Sequence, residues 1–267
     1  MSGGSGLEKE SCGQRRLNAQ NAMPDSSLRL ILRALADLVF PPHCLGCGKP
    51  LDITRHPLFC EGCADRLPWI KSPLCARCGR PFAVGGDRLC GECLVRPPAF
   101  NLARSLFFYE EPVRSGILGL KFKGERDWLP TLPALCRKSP LMADFTEPDL
   151  IIPAPLHPKR LRERGCNQSL LLARHCFPAW RDRIAPNALL RIRSTIPQSS
   201  LDGAARRRNL HGAFAAAPGA EFSGKRVLLI DDVLTTGTTV AACAEELVRA
   251  GAERVEVFTL ARSITIR

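Results

Sequence analysis

The sequence predicts an α/β fold, with a mostly parallel sheet flanked by helices and preceded by a small cysteine-rich domain. Three observations lead to this prediction. Most of the 13 cysteines fall between Cys44 and Cys93. After a linker-like Arg-Pro-Pro at 96–98, short apolar runs alternate with segments of helical periodicity, which is the pattern of parallel sheets. One apolar run ends in Asp231 and Asp232 and leads into a threonine-rich loop, the place where ligands bind in open α/β sheets.

Composition excludes several classes of protein. The chain of 267 residues is 45% hydrophobic and 24% charged, which is ordinary for a packed protein and excludes wholesale disorder. No apolar run approaches the roughly 20 residues that cross a bilayer, so we expect no membrane span. The glycines and prolines show no periodicity, which excludes a collagen-like chain. A net charge of +12 favours polyanionic partners such as phosphates or nucleic acid.

The first predicted element is an N-terminal helix over residues 23–41, which follows a disordered leader over residues 1–22. The leader is polar and rich in Gly and Ser and lacks the apolar core of a signal peptide; Met23 is an alternative start. Apolar residues recur at helical spacing from Leu28 to Phe40, and two prolines then end the helix. Without an export signal we expect a cytoplasmic location, where clustered thiols bind metal more often than they form disulfides.

Residues 42–97 carry four Cys-x-x-Cys pairs, and we predict that they form a double zinc ribbon. Four thiolates bind zinc as a tetrahedron, and a two-residue gap lets one turn supply two of them. Gly48 and Gly79 follow the first and third pairs, so the local pattern repeats once. This repeat favours sequential pairing into two structural zinc sites and leaves an interleaved arrangement open. The sequential sites are Cys44, Cys47, Cys60 and Cys63, then Cys75, Cys78, Cys90 and Cys93.

Two roles for these ribbons stay open from sequence. Four thiolates leave no coordination position for a substrate, and the segment has too few apolar residues for a core, so the zinc is expected to hold the fold. The alternative is a platform for single-stranded DNA, with Trp69 and Phe82 stacking on bases. Basic residues of the segment would contact phosphates: Arg55, Arg66, Lys71, Arg77, Arg80 and Arg88. The other cysteines are expected to be inert or buried: Cys12, Cys136, Cys166, Cys176 and Cys243.

Residues 98–267 are the second predicted domain, in which strands and helices alternate. Short apolar runs predict strands over 102–109, 149–153, 227–230 and 255–260. Helical spacing predicts helices over 113–123, 168–176 and 239–250, and the first and last of these stop at Gly124 and Gly251. Residues 191–200 are polar and are interpreted as a loop.

The segment 227–239 is the most informative part of this domain. Its two adjacent carboxylates can accept hydrogen bonds from a sugar diol. Backbone N–H groups and hydroxyls of residues 235–239 can surround a phosphate, aided by the positive end of the following helix. Gly237 permits close approach of the backbone. The alternative interpretation is an acidic turn that ends a strand, with threonines for helix entry.

The same segment resembles the 5-phosphoribosyl-1-pyrophosphate (PRPP) signature of type I phosphoribosyltransferases. Upstream motifs occur in the order seen in the ComF family, whose members carry a zinc ribbon ahead of such a domain. These motifs are Ile-Ile-Pro-Ala-Pro-Leu at 151–156, Arg-Gly-Cys-Asn-Gln at 164–168, Arg-x-Arg-x-Thr-x-Pro-Gln at 191–198 and Arg-x-x-Asn at 206–209. The resemblance covers roughly residues 28–262. Ala154 and Cys166 replace the usual valine and aromatic residue, which affects packing more than phosphate ligands.

The resemblance implies a type I phosphoribosyltransferase-like sheet and a role for each motif. The implied PRPP-binding residues are Asp231, Asp232, Val233, Leu234, Thr235, Thr236, Gly237, Thr238, Thr239, Pro155, Leu156, Arg164, Asn167 and Gln168. Residues 153–156 resemble the pyrophosphate loop and residues 191–198 the flap. Arg193 and Arg206 are the candidate catalytic residues, since guanidinium groups match phosphate oxygens, and residues 121–124 lend another cation. Asn167 and Asn209 have a structural alternative, as ligands of loop backbone.

Three functions follow from this resemblance and from the charge. The first is an enzyme that binds PRPP with Mg²⁺ and transfers the phosphoribosyl group to an acceptor that the sequence does not name. ComF relatives are linked to DNA uptake in natural transformation, so competence-machinery proteins are expected partners. The second is a non-catalytic competence accessory protein that binds single-stranded DNA and uses PRPP only as a regulatory ligand. The third is an adapter whose ribbons bind another protein.

Overall fold

The computed structural model describes residues 43–44, 46–51, 59–193, 210 and 212–263. The predicted leader and the helix over 23–41 lie outside these residues. The described ribbons and sheet belong to one compact unit, Pro42–Arg267. The boundary between 42–97 and 98–267 therefore stays a prediction. Among the described residues, no helix has the length and apolar character that a bilayer crossing needs.

The two cysteine-rich segments share one local design. In each, an isolated antiparallel bridge spans the first Cys-x-x-Cys pair, between His43 and Pro50 and between Leu74 and Pro81. A short helix then begins directly after the third cysteine, α1 (Glu61–Asp65) in the first segment and α2 (Gly91–Val95) in the second. The repeat that the sequence predicts is therefore present in the backbone.

The second part of the chain contains a four-stranded parallel sheet and a small antiparallel pair. Six strands have bounds among the described residues, namely β1 (Leu102–Phe108), β2 (Leu150–Pro153), β3 (Leu189–Arg191), β4 (Phe214–Ala216), β5 (Arg226–Leu234) and β6 (Arg254–Arg262). The main sheet has the order β1-β6-β5-β2 with every pair parallel, and β3 pairs with β4. The α-helices that the structure bounds in this part are α3 (Val113–Leu118), α4 (Leu132–Lys138), α5 (Pro158–Arg164), α6 (Gln168–Cys176) and α7 (Thr238–Arg249).

Helices cover both faces of the main sheet, because its strands are apolar on both sides. In β5, Leu228 and Ile230 belong to one buried cluster and Val227 and Leu229 to another, as expected from the period of two in a strand. The first cluster includes residues of α3, α4 and α6, and the second includes residues of α7. The predicted α/β architecture of a mostly parallel sheet flanked by helices is confirmed.

Three predicted elements differ from the structure. The strand predicted to end at Ile230 continues to Leu234, because the long β6 supplies partners as far as Arg262. Arg191, predicted in a loop, is the last residue of β3 and pairs with Phe214. The helix predicted over 113–123 is α-helical only to Leu118 and continues as a π-helical turn, Gly119–Lys123. Short elements that begin near prolines were not predicted, including three 3₁₀ turns, Leu129–Thr131, Pro140–Asp144 and Pro178–Arg183.

The second cysteine-rich segment, together with the chain that connects it to the first, covers the outer edge of β1. The amides of Ile70 and Phe108 exchange hydrogen bonds of 2.8 Å with the carbonyls of Leu106 and Pro68. At the other end of the strand, the amide of Ala103 donates to the carbonyl of Arg77 at 2.7 Å. An edge strand presents unpaired backbone groups, and here the ribbon satisfies several of them.

Candidate functional site

The two adjacent carboxylates lie within β5, on the half of the strand that leads to α7. Asp231 Oδ1 accepts a hydrogen bond from Ser169 Oγ at 3.1 Å and from the backbone N–H of Asp232 at 2.9 Å. Ser169 lies in the first turn of α6, so this helix is tied directly to the carboxylate. The acid pair, Asp231 and Asp232, is therefore part of the sheet itself rather than of a turn after it.

Lys121 makes an ion pair with the second carboxylate of the acid pair. Its Nζ lies 2.8 Å from Asp232 Oδ1, and the two side chains are only 18% and 14% exposed. Residues 121–124 were expected to lend a cation, and the structure brings Lys121 to the acid pair. Lys123, two residues on, is 73% exposed and lies near Glu125 instead.

The first carboxylate of the acid pair is hard to ionise. Burial and the neighbouring charge of Asp232 raise the pKa of Asp231 to about 7, against the opposing effects of the Asp232 amide, Lys121 and Ser169. Near neutral pH this carboxyl exchanges between its protonated and ionised forms. A group in the protonated form can donate a hydrogen bond as well as accept one.

The threonine-rich loop follows the acid pair directly. Thr235 and Thr236 are exposed, Thr238 is buried, and the hydroxyls of Thr236 and Thr238 are 2.7 Å apart. Gly237 has a φ of 74° and precedes the first residue of α7, so a side chain there would be strained. Val233 and Leu234 pack into the two cores. Their predicted role in binding could therefore be carried only by backbone groups.

The turn after β2 is hydrogen-bonded to β5 and to the residue that caps α6. The amide of Ala154 donates to the Ile230 carbonyl at 2.8 Å. Asn167 caps α6 by accepting from the Ser169 amide at 3.0 Å, and its Nδ2 donates to the Ala154 carbonyl at 3.1 Å. These bonds give Asn167 the structural role that the sequence left as an alternative. In the same turn Pro155 is buried and Leu156 is half-buried.

The predicted pair Arg164 and Gln168 spans the connection between two helices, since Arg164 is the last residue of α5 and Gln168 the first residue of α6. Arg164 Nη1 donates to Gln168 Oε1 at 3.2 Å, and its guanidinium carbon lies 5.3 Å from the centre of the Phe122 ring. Gln168 is 1% exposed, and among the described residues its Nε2 finds no hydrogen-bond acceptor. Phe122 belongs to the same π-helical turn as Lys121, so this cation–π contact connects the end of α5 to that turn.

The structure describes only some of the arginines in and after the predicted flap. Burial and the nearby charge of Arg160 lower the pKa of Arg191, whose guanidinium lies 5.6 Å from the Phe214 ring centre. Arg193 is exposed. Arg206 and Asn209, together with residues 194–200, lie outside the described residues. β3 ends at Arg191, the first residue of the predicted flap, and its partner strand β4 begins at Phe214.

The cysteines of the ribbons form two tetrads in the sequential arrangement. The Sγ atoms of Cys44, Cys47, Cys60 and Cys63 lie within 4.8 Å of one another, and so do those of Cys75, Cys78, Cys90 and Cys93. One pair of sulfurs in each tetrad is 3.7 Å apart. Four thiolates at about 2.3 Å from a zinc ion would be about 3.8 Å apart in a tetrahedron, so both tetrads fit zinc.

Backbone amides prepare one cysteine of each tetrad for metal binding. Burial opposes ionisation of Cys44, but N–H groups including those of Cys60 and Gly46 outweigh it and lower the pKa of Cys44 to about 6. Burial likewise opposes ionisation of Cys75, and the amides of Cys78 and Cys90 outweigh it and lower the pKa of Cys75 to about 6. Zinc binds the thiolate, so these amides favour the ligand form.

Stacking on bases by the two ribbon aromatics is not supported by their surroundings. Trp69 packs against Phe107 with ring centres 4.5 Å apart, and its indole N–H donates to the Ala64 carbonyl at 2.9 Å. Phe82 is covered by the Arg88 guanidinium at 3.9 Å from its ring centre. Both rings already have partners within the protein. Of the isolated cysteines, Cys136, Cys176 and Cys243 are buried, Cys166 is half-buried and Cys12 lies outside the described residues.

Sequence reasoning missed two residues that connect these sites to the fold. Ser169 follows the predicted Asn-Gln pair, but nothing in its local sequence indicates a carboxylate partner 62 residues away. Arg262, which is buried at the end of β6, donates from Nη1 to the carbonyl of the zinc-site residue Cys78 at 2.7 Å. Both contacts depend on the order of strands and helices, which sequence spacing does not encode.

Comparisons with known proteins agree with this two-part organisation. A family model described as a double zinc ribbon domain matches residues 35–94, and one described as a phosphoribosyl transferase domain matches residues 188–265. The DNA utilization protein YhgH of Salmonella typhimurium is 34% identical over 238 residues, which span 85% of this chain and 100% of that protein. Competence protein F of Haemophilus influenzae is 33% identical over 227 residues, 82% of this chain and 96% of that protein.

One solved structure is also similar. A hypoxanthine phosphoribosyltransferase from Staphylococcus aureus aligns with 52% of this chain and 74% of its own, at 14% identity and a TM-score of 0.31. That likeness is too low to carry a statement about function.

Proposed function

This chain belongs to the ComF family, which joins a double zinc ribbon to a phosphoribosyltransferase domain, and we propose that it binds PRPP together with Mg²⁺. The ligand lies at the acid pair and the threonine-rich loop. One observation supports this most strongly: the acid pair lies in β5, and the next few residues form the loop that enters α7. Carboxylates that can accept hydrogen bonds from a ribose diol are thus followed, within one short segment, by a helix N-terminus whose N–H groups can bind a phosphate.

Each part of the site matches one part of this ligand. The acid pair accepts hydrogen bonds from the two ribose hydroxyls, and the amides and hydroxyls of residues 235–239 hold the 5-phosphate. Arg164, with Arg193 from the flap and Arg206 from the motif after it, pairs with pyrophosphate oxygens. Pro155 and Leu156 line the turn beside the pyrophosphate, and Gln168 supplies a buried amide that lacks an acceptor among the described residues. Magnesium arrives with the ligand and neutralises part of its charge.

The reaction that this geometry supports is transfer of the phosphoribosyl group. The bond from C1 of the ribose to the pyrophosphate oxygen breaks, and its electron pair leaves with pyrophosphate. A nucleophile bonds to C1 and releases its proton to solvent. The arginines stabilise the charge that develops on pyrophosphate, while a closed flap would exclude water from the cationic sugar.

A second candidate function is binding of single-stranded DNA by the ribbons. The net charge of +12 and the names of the two relatives, which refer to DNA utilization and to competence, favour it. In this function PRPP acts only as a regulatory ligand, and competence-machinery proteins are partners. Since Trp69 and Phe82 are engaged within the protein, affinity would come from phosphate contacts of exposed cations such as Lys71 and Arg80.

Calorimetry with PRPP and Mg²⁺ tests the first proposal. Replacing both acids, as Asp231→Asn with Asp232→Asn, should lower PRPP affinity at least about a hundredfold, because hydrogen bonds to charged groups contribute about 1.5–3 kcal/mol each. Asp149→Asn is the matched control, since Asp149 pairs with Arg226 at the opposite end of β5. Circular dichroism verifies that each variant is folded. Retained affinity in the double variant would contradict the proposal.

Two further assays separate enzyme from binding protein. Release of pyrophosphate from PRPP, screened against nucleobases and amines, should rise with the true acceptor if the chain is a transferase. Fluorescence anisotropy of a labelled oligonucleotide should increase at low salt and fall steeply as salt rises if the ribbons bind single-stranded DNA. No change in anisotropy at low salt would remove the second candidate.

A further inference from the structure

We propose that Lys121 is a positioning residue for the sugar: it holds one oxygen of Asp232 so that the other is presented to a ribose hydroxyl. This inference rests on the proposed binding of PRPP and names a residue that sets the geometry of the acid pair. The ligand class is a sugar phosphate with two vicinal hydroxyls. Lys121 acts through Asp232 and need not touch the ligand itself.

The backbone around Lys121 directs one of two lysines inward. Residues Gly119–Lys123 form a π-helical turn, a rare element that often occurs at functional sites. The chain folds back behind it, since the amide of Glu125 donates to the Gly119 carbonyl at 3.2 Å. Phe122 is 71% exposed, whereas Lys121 reaches the acid pair. The turn therefore separates Lys121 from the neighbouring surface cation Lys123.

The contacts of the acid pair engage one oxygen of each carboxylate. Lys121 engages Oδ1 of Asp232, and Ser169 with a backbone amide engages Oδ1 of Asp231. Among the residues that the structure describes, no donor reaches Oδ2 of either carboxylate within hydrogen-bond distance. Each acid is thus anchored by one oxygen and presents the other. Two presented acceptors match the two hydroxyls of a ribose diol.

Removing the ammonium group would leave a half-buried carboxylate beside another one. Ionised groups that lose their only close counter-charge in such a site become much harder to ionise. Other groups face the pair: Ser169 from α6, Arg191 from β3 and Cys243 from α7, the last two through their charge interactions with Asp231. Lys121 is the ammonium in direct contact with the acid pair and lowers the pKa of Asp231, so its loss should raise that pKa further.

The test compares Lys121→Met with the matched control Lys123→Met. Lys121→Met should weaken PRPP binding at least tenfold at pH 7, and the pH of half-maximal binding should move upward, because Lys121 lowers the pKa of Asp231 and its loss keeps that carboxyl protonated to higher pH. Lys121→Arg keeps the charge and should retain most of the affinity and the original pH profile. Lys123→Met, which removes an exposed cation from the same turn, should stay within twofold of the parent protein.

A merely structural role for Lys121 would lower the melting temperature without moving the pH profile. A Lys121→Met protein with unchanged affinity and pH profile would overturn the inference. If the parent protein binds no PRPP, the proposed function fails and a ligand-free measurement still decides on Lys121. Carbon-13 NMR titration of labelled aspartates should then show a higher carboxyl pKa in Lys121→Met than in Lys123→Met, and equal titration curves would contradict the role.

Discussion

The two zinc ribbons share one local design but differ in how they are held. In the first tetrad Cys47 is exposed and Cys60 is half-buried, whereas in the second Cys75, Cys90 and Cys93 are all buried. Cys44 and Cys63 of the first ribbon belong to the large core beside α4. A surface ion pair between Lys138 and Asp65 also connects this ribbon to α4. The second ribbon instead bonds directly to the backbone of the sheet.

The second ribbon is anchored to two strands at once. Arg104, buried in β1, donates to the carbonyls of Cys75 and Ala76 at 3.4 Å, and it also pairs with Asp144. Arg262, buried in β6, donates to the carbonyl of Cys78. Two tetrads built from the same Cys-x-x-Cys pairs can therefore serve two mechanical roles: one ribbon is packed onto the core, and the other completes the sheet. Three pairs of matched substitutions test this difference.

The largest effect is expected from breaking the metal sites. Cys47→Ser and Cys78→Ser each remove the second cysteine of a tetrad and should each reduce zinc from two ions per chain to one. Structural zinc contributes about 10–16 kcal/mol in isolated zinc fingers, so the loss is large wherever the rest of the fold depends on it. Cys78→Ser should lower the melting temperature by about 10 °C or more, which is about 3 kcal/mol for a domain of this size.

Cys47→Ser should lower the melting temperature by less than half as much, since its tetrad does not pair with a strand edge. Zinc content by atomic absorption and melting followed by circular dichroism provide the two measurements. Equal losses of melting temperature in the two variants would show that the ribbons are mechanically equivalent.

A smaller effect is expected at the two glycines that follow the paired cysteines. Gly48 and Gly79 have φ values of 70° and 68°, so alanine at either costs about 1–2 kcal/mol of backbone strain. A Cβ on Gly79 would also lie 2.4 Å from the carbonyl oxygen of Ala103 in β1, whereas no atom of the described residues lies within 4 Å of one on Gly48.

Gly79→Ala should therefore destabilise the protein by at least about 2 kcal/mol more than Gly48→Ala, as expected for overpacking against backbone. Urea denaturation of both variants, each loaded with zinc, gives the comparison. If the two urea midpoints coincide, the turn that contains Gly79 does not pack against β1 as closely as the structure indicates.

The smallest effect is expected from the arginines beside each tetrad. Arg262→Met removes a buried donor to the Cys78 carbonyl and should cost about 1.5–3 kcal/mol, the range for hydrogen bonds of charged groups. Arg66→Met removes an exposed donor, 3.2 Å from Cys63 Sγ, and should cost less than about 1 kcal/mol. Chemical denaturation resolves this difference, and a larger loss for Arg66→Met would reverse our ranking of the two ribbons.

Local features of this molecule could be predicted from sequence, and features that depend on distant partners could not. Cysteine spacing is local, so the tetrads follow from it, and the helix over Gln168–Cys176 follows from its own periodicity. The extension of β5 beyond Ile230 depends on the length of β6. The polar residues that follow Ile230 do not indicate a strand in the sequence.

The candidate site shows the same division. The acid pair and the threonine-rich loop are contiguous, so their proximity was predictable. The contact between Lys121 and Asp232 arises because a π-helical turn and a strand meet in space, and no periodicity encodes that meeting. Expectations for Arg206 and for the N-terminal helix concern residues outside the described ranges and stay predictions.

The ribbon cover on β1 has a consequence for how the protein fails when metal is scarce. Without the turn at Cys75–Cys78, the amide of Ala103 in β1 would lose its present acceptor, the carbonyl of Arg77. An uncovered, apolar strand edge templates the growth of intermolecular sheets. Zinc starvation should therefore reveal itself first as aggregated chain, before any change in the affinity of the remaining native molecules.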